Sequence, residues 1–303
     1  MSAAKTQCST PEGPVRVWRS DRPVRLEQFL QEQIPDASRD SVRRALAAGA
    51  CRVDGMPRPW GYHVAAGAEI VLDASARISR IPPENLPLEI LYEDEELIAV
   101  NKPSGMLVHP TTRERTGTAA NALRGLGLRD VHFLHRLDRG TSGVLLAAKH
   151  LPKGSPWARL FASRAVEKQY LAVVAGPVPW EEQTVDAPIG REPDRTPPWN
   201  VDVSGAFAQT HFRVLERAGG QVFLAANPVT GRTNQIRIHC AAIGLPILGD
   251  TVYGGGAADR LLLHAWRLSF PGEDGQERTI SAPAPAECRP PGLPLAWPPE
   301  WPL

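Results

Sequence analysis

HFLHRLDRGTSGVLLAAK, residues 132–149, is the stretch on which the fold turns. Its second half, 143–148, reads as a short apolar strand. Its first half crowds His135, Arg136, Asp138 and Arg139 into a loop just before that strand, closed by Thr141, Ser142 and Gly143. Asp138 therefore belongs to a loop at the mouth of a sheet. An aspartate there has a structural use, accepting hydrogen bonds from the turn backbone or from Thr141 and Ser142, beside any chemical one.

Outward from this island, strands outnumber helices. ILYEDEELIAVNKPSG (90–105) reads as strand, acidic turn and strand, and 170–174, 208–215, 221–226 and 266–270 supply more. Helices are expected at 118–126, at the alanine-rich 157–165 and at 234–243, the last ended by Gly244. The two kinds do not alternate regularly. The expectation is an α+β fold, a mixed, largely antiparallel sheet with flanking helices over 88–280, and not a doubly wound one.

Residues 1–23 are expected to be a flexible N-terminus, the first fifteen carrying no period. A small module follows at 24–74: VRLEQFL opens an amphipathic helix stopped by Pro35, and Ser38 or Asp40 caps a second helix that Gly49 ends. A strand with an Asp54-Gly55 turn and a strand at 69–72 complete it. Arg39 and Arg43 share a face of the second helix with Arg44 adjacent, and 38–58 holds five arginines against two aspartates. A solvated helix face and a phosphate-contacting one both fit that pattern. Pro82, Pro83 and Pro87 mark a linker at 75–87. Six prolines in 176–200 point to a surface excursion with a short strand or two. Eight more in 281–303 suggest a flexible, polyproline-like tail that Trp297 and Trp301 can dock on the body.

The 303 residues are 42% apolar and 22% charged, which excludes wholesale disorder and a collagen-like repeat, and 34 basic residues balance 33 acidic ones. A net charge of +1 leaves a basic face possible on an otherwise balanced chain. No signal-peptide core and no 18-residue apolar run occurs, so a cytoplasmic protein without membrane contact is expected. Cys8, Cys51, Cys240 and Cys288 stand too far apart for a CxxC or zinc-knuckle pattern. Neither GxGxxG nor GxxxxGK[ST] is present. No metal and no cofactor is expected.

Three further polar islands interrupt apolar surroundings: NKPSGMLVHP (101–110), EKQYLAVV (167–174) and NPVTGRTNQIRIHCAAIGLPILGDTVYG (227–254). The last carries Arg232, Arg237 and His239 with Asn234 and Gln235. A helix opening near Asn234 places Arg237 in its first turn, where a buried arginine needs a carboxylate partner, and Asp138 is the partner expected. Such a pair keeps the acid ionised, as a nucleophilic carboxylate requires.

These islands, in this order, resemble the RluA-type family of RNA pseudouridine synthases: HRLD and TSG at 135–143, KxY at 168–170, GRTNQIRIH at 231–239 with GLPILGDTVYG behind it, and NKPSGMLVHP in front. The resemblance spans about 86–270, and the N-terminal module is similar to an S4-type RNA-binding module. It implies that Asp138 is the nucleophile toward the ribose or uracil ring, that Tyr170 stacks on the flipped uracil and handles a proton, and that Arg237 pairs with Asp138. Arg136 then helps hold the vacated place in the RNA stack, with Arg139, His135, Lys168, Asn234 and Gln235 near substrate and Arg39, Arg43 and Arg44 toward RNA. Asn234 stands where many members carry His and Gly140 where Asp or Glu is frequent; neither departure is expected to touch the chemical groups. The partner implied is structured RNA, ribosomal or transfer, with a monomeric enzyme and no obligate protein partner.

The reaction implied breaks a C1′–N bond, turns the base and forms a C1′–C5 bond, so it consumes no redox equivalent. It requires a base lifted from its stack, an aromatic platform and basic residues at the rim. Two other readings compete. One is an RNA-binding protein that keeps the fold without turnover. The other is a two-carboxylate glycoside hydrolase, for which Asp250 is the nearest second acid and which requires Asp250, not Arg237, beside Asp138.

Overall fold

The computed structural model describes residues 15–34, 37, 39–73, 81–111, 113–128, 131–150, 155–163, 165–272 and 275–293. The chain divides into two units, residues 1–84 with 110–116 and residues 85–109 with 117–303.

The first unit runs β1 (Val15–Arg19), β2 (Val24–Arg25), α1 (Leu26–Gln33), α2 (Arg39–Ala47), β3 (Cys51–Val53), β4 (Met56–Pro57), β5 (His63–Val64) and β6 (Glu69–Asp73). Its main sheet has the order β1-β6-β3-β4, and β2 pairs with β5. Leu26, Phe29 and Leu30 of α1 and Val42 and Leu46 of α2 are buried with Val53 and Ile70 of the sheet. The β3–β4 turn places Asp54 and Gly55 at φ 50° and 79°, the geometry that an Asp-Gly pair adopts at least cost. One expectation fails here. Residues 15–19 are not a flexible terminus but strand β1, paired antiparallel with β6 from Val15↔Asp73 to Arg19↔Glu69. Val15-Arg16-Val17 alternates with period two, and β6 offers the unpaired backbone edge that this short run satisfies. Residues 1–14, Pro35, Ser38 and 75–80 of the linker lie outside the described residues; Asp40 falls within α2 and is not its cap.

The second unit continues with β7 (Glu89–Glu93), β8 (Leu97–Lys102), α3 (Ala119–Gly125), β9 (His132–Phe133), β10 (Ser142–Ala148), α4 (Pro156–Ala162), β11 (Glu167–Ala175), β12 (Glu182–Asp186), β13 (Ile189–Arg191), β14 (Trp199–Val201), β15 (Gln209–Ala218), β16 (Gln221–Pro228), α5 (Gln235–Ala242), β17 (Leu263–Pro271) and β18 (Glu277–Ser281). The sheet order is β12-β15-β16-β11-β17-β10-β8-β7, with β18 on β17 and β9 on β10. Among the described residues its pairings are antiparallel except β10 with β17, which run parallel at Ser142↔His264 and Gly143↔Ala265. The fold is mixed and largely antiparallel.

β10 is buried along its whole length. Val144 and Leu146 pack with Trp157, Leu268 and Phe270 on one face, while Leu145 and Ala147 pack with Val100, Leu123 and Leu137 on the other. That two-sided burial is why the strand carries no polar alternation. Gly143 at its head has φ 110°, and a Cβ there would lie 2.1 Å from the Ala265 carbonyl oxygen, so only glycine lets β17 approach.

Two expectations about proline-rich segments are corrected. Within 176–200 the chain forms three strands, and β12 is an edge strand of the main sheet, paired with β15 from Glu182↔Arg213 to Asp186↔Gln209. Only Val185 of β12 is buried, so its sequence carries little hydrophobic signal. The C-terminal segment is not a free tail over 281–293. Ser281 ends β18, Ala282 N–H donates to the Trp266 carbonyl at 2.9 Å, and Ala282, Ala284 and Cys288 are buried. Small apolar side chains fit against the sheet, and Arg260 holds the segment through Glu287 at 2.6 Å. Trp297 and Trp301 lie outside the described residues.

Candidate active site

A cavity of about 450 Å³ opens at the mouth of β10. Its wall comprises the loop ahead of β10, including Arg136 and Asp138, then Lys168 and Tyr170 on β11, and the 228–236 segment leading into α5. Three of the four sequence islands thus meet at one place.

The fourth island stands behind the Asp138 loop. Lys102, at the end of β8, is fully buried, and its Nζ donates to the carbonyls of Pro103 at 2.8 Å, Met106 at 2.8 Å and Arg139 at 3.2 Å. Gly105 N–H donates to the Arg139 carbonyl and Ser104 Oγ to that of Gly140, at 2.8 and 2.7 Å. Thr141 N–H closes the turn on the Asp138 carbonyl at 3.1 Å. The backbone around Asp138 is therefore pinned from below, and its carboxylate, 21% exposed, is left facing the cavity. Burial pushes that carboxyl up, against the pull of Arg237, Arg136 and Lys102, and Asp250 adds to the rise. Burial also lowers the Lys102 ammonium to about 7, with Asp138 opposing.

Arg237 is the third residue of α5, in the first turn as expected, but its principal partner is not Asp138. Nε and Nη2 donate to the two oxygens of Asp250, both at 2.7 Å, while Nη1 lies 4.0 Å from Asp138 Oδ2. The expected partnership is corrected to a shared arginine, close-bonded to one carboxylate and a longer-range neighbour of the other. Asp250 is fully buried and also accepts from the N–H groups of Val252 and Tyr253 at 3.0 Å. Burial, the largest single influence, raises its carboxyl, but the hydrogen bonds and charge of Arg237 together with the Tyr253 and Val252 N–H groups make the net shift downward. Arg237 shows the mirror image: burial, the largest single influence, disfavours its charge, and the Asp250 bonds and charge, with the charges of Asp138 and Tyr253, more than restore it. With its oxygens so committed, Asp250 is no second acid for glycoside hydrolysis.

Asn234, expected to stand clear of the chemistry, does not. Its Oδ1 accepts from Arg237 Nη1 at 3.0 Å. Tyr170 reaches the same cavity from β11, opposite a register shift against β17 between Gln169 and Tyr170. Burial and then Asp138 push its hydroxyl well above the ordinary tyrosine range, so near neutral pH it is an intact phenol.

The family model for RNA pseudouridylate synthases matches residues 96–242, the span that holds Lys102, Asp138, Tyr170 and Arg237. The ribosomal large subunit pseudouridine synthase D of Nitrosomonas europaea is 34% identical over 265 residues, 82% of this chain and 77% of its own. That of Escherichia coli O6:H1 is 36% identical over 243 residues, 76% and 73% of the two chains. The chain belongs to the RluA-type family of RNA pseudouridine synthases. The solved structure of human RNA pseudouridylate synthase domain containing 1 agrees in fold, with a TM-score of 0.54 at 28% identity over 67% of this chain and 85% of that one. Like its family, the synthase isomerises uridine to pseudouridine in RNA.

Not every expected substrate contact in the synthase is available for RNA. His135 Nε2 accepts the Leu146 N–H at 3.0 Å, its ring stacks on Phe161 with centroids 5.7 Å apart, and burial lowers it to about 3. It is a neutral ring that ties the loop to β10. Gln235 is buried with its amide committed: Nε2 donates to Gln209 O and Thr210 Oγ1, and Oε1 accepts from Thr230 Oγ1 and Arg232 N. It clamps the 230–232 turn to β15. Arg136 is exposed at the cavity rim, and Lys168 lines the wall with its ammonium lowered by burial. Arg139 is exposed, and its carbonyl is one of the oxygens that Lys102 and Gly105 hold. In the first unit, Arg43 and Arg44 are exposed on α2, and Arg39 lies over the Trp60 ring at 5.4 Å.

Lys102 and Tyr253 are not singled out by the sequence, and Asp250 only as the second acid of a competing reading. The signal for Lys102 was a lysine closing an apolar strand; for Asp250 and Tyr253 it was the polar GDTVYG run behind a helix that carries an arginine. Among the described residues no group of three or more His, Cys, Asp or Glu is placed to hold a metal, and no helix is long and apolar enough to cross a membrane.

Proposed function

We propose that this synthase modifies uridine in large-subunit ribosomal RNA, and that Asp138 initiates the reaction. The observation that carries the chemical part is the Asp138 carboxylate, open to a cavity and 4.0 Å from an arginine whose charge is locked in place by another acid. The nearby fixed cation opposes the rise that burial gives the Asp138 carboxyl and, at 4.0 Å, leaves its oxygens free to attack.

The flipped uridine enters the cavity and stacks on Tyr170. Asp138 attacks the ribose or the ring as the C1′–N1 bond breaks. The base turns, C5 bonds to C1′, the bond to Asp138 breaks and frees its carboxylate, the C5 proton leaves and N1 gains one, so atoms and charge balance without a redox partner. Tyr170, a phenol in the resting site, serves as platform and proton relay and not as a pre-formed phenolate base. Arg136 and Arg139 occupy the gap left in the RNA, and Lys168 faces substrate from β11.

The first unit is read as an S4-like RNA-binding module whose Arg39, Arg43 and Arg44 contact phosphates. The RNA reading of the relatives' names supports the ribosomal target. The synthase is read as a monomer acting in the cytoplasm. Pseudouridine mapping of total RNA from cells with and without the gene tests this. Loss of one or a few sites in large-subunit RNA is expected; loss confined to transfer RNA refutes the ribosomal target while leaving the isomerase intact.

A further inference from the structure

Arg237 is constrained on more sides than an ion pair with Asp250 requires. The side-on pair fixes the Nε–Nη2 edge of the guanidinium at 2.7 Å, leaving its tilt about that edge to be set by something else. Asn234 Oδ1 meets Nη1 from one side at 3.0 Å, and the Tyr253 ring lies 5.0 Å from the guanidinium carbon. Asn234 Nδ2 donates to Tyr253 Oη at 3.2 Å, and Tyr253 Oη donates to the Trp199 carbonyl on β14 at 3.0 Å. The chain of bonds has one polarity: a flipped amide would turn its NH2 toward the arginine, so the tyrosine fixes the amide and the amide fixes Nη1. Asn234 has a left-handed backbone at φ 55°, ψ 21°, which asparagine tolerates better than most residues.

We propose that Asn234, held by Tyr253, is a positioning residue that aims Nη1 of Arg237 at Asp138 and so sets how much of a shared positive charge the nucleophile receives. The inference rests on the reading of Asp138 as the initiating group. The charged and titratable groups facing Asp138 are Arg136 on its own loop, Lys102 of β8, Tyr170 of β11, Arg237 of α5, and Asp250 and Tyr253 beyond α5. Position 234 adds no charge to that set, and this is what makes it testable.

Three full-length variants are assayed on an unmodified large-subunit ribosomal RNA transcript, with kcat, KM and the pH dependence of kcat/KM recorded. Asn234→Gly retains the left-handed backbone at little cost and removes only the amide, so kcat is expected to fall about tenfold with KM within about twofold. Tyr253→Phe keeps the ring beneath Arg237 and loses the hydroxyl, with an expected fall of about threefold. Asn234→Asp is isosteric, tolerates the same backbone and draws Nη1 to a new negative charge. The acid limb of its profile is expected to move to higher pH by about one unit. Wild-type kcat and an unmoved acid limb in these variants overturn the proposal, as does a loss confined to KM, which would make Asn234 an RNA contact. If Asn234→Asp melts early, Asn234→Gly and Tyr253→Phe decide the matter. Asp138→Asn on the same transcript separates the two readings: turnover by that variant refutes the role of Asp138 itself.

Discussion

Asp250→Asn is the perturbation that most directly probes how the site is held. The side chain is fully buried, and one of its oxygens accepts Arg237 Nη2 at 2.7 Å and the N–H groups of Val252 and Tyr253 at 3.0 Å. Asparagine keeps that oxygen. It replaces the other, which accepts Arg237 Nε at 2.7 Å, with an NH2 group, setting donor against donor beside a guanidinium only 12% exposed. Removing one charge of a buried, well-bonded pair costs about 3–5 kcal/mol, and the two retained backbone bonds favour the lower end. About 3 kcal/mol in a unit of this size corresponds to a melting temperature lower by about 6–12 °C. The sign with pH follows from the downward shift of Asp250: its stabilisation is present above the ordinary carboxylate range and is lost as pH falls through its depressed folded value. The wild-type advantage over the variant should therefore be full at pH 7 and shrink as pH falls from about 4 toward the depressed folded value. Calorimetric melts at pH 7 and in an acid series measure both effects. A drop under about 2 °C at pH 7, or a difference that stays constant into strong acid, refutes the view that Asp250 is the chief partner of Arg237.

Asp138→Asn should leave the melting temperature and RNA affinity near wild type while abolishing pseudouridine formation, read by tritium release or mapping. Tyr170→Phe should keep substrate binding and slow single turnover, whereas Tyr170→Leu should weaken binding as well; equal, small effects would make Tyr170 a packing residue. Lys102 has a folded value lowered to about 7, so the unfolded chain binds the extra proton between there and its ordinary value of 10.5, and stability from this group rises with pH over that window. The urea midpoint of the wild type relative to Lys102→Met should therefore climb from pH 6.5 to 9.5, and a pH-independent difference would contradict it. Replacing Arg39, Arg43 and Arg44 together by Ala should weaken RNA binding and flatten its salt dependence by up to about 3 × 0.9 units of slope, less on single strands, and an unchanged slope would return them to a solvated face.

What the sequence by itself determined is local. The apolar run of β10 announced a strand and the Asp54-Gly55 pair its turn, because periodicity and turn chemistry are written along the chain, and the HRLD, KxY and GRTNQIRIH islands pointed to Asp138, Tyr170 and Arg237 through their family resemblance. Strand β1 was not legible, and β12 only as one of a short strand or two without its place in the sheet: each lies at a sheet edge, and most side chains of each lack the burial that leaves a hydrophobic trace. The segment 281–293 read as a tail because its prolines outweighed the small residues Ala282, Ala284 and Cys288 that pack it down. The tertiary structure alone decided the pairing of charges. Arg237 could be expected to find a carboxylate, but the choice between Asp138 and Asp250 depends on which one offers two oxygens along the Nε–Nη2 edge, a matter of ångströms and angles between separate elements. Lys102 likewise looks in sequence like the end of a strand, and only the folding of two distant loops over it turns one ammonium into the support of the Asp138 backbone. Hydrogen bonds and desolvation act through space at short range, so their outcome is set when the chain closes on itself.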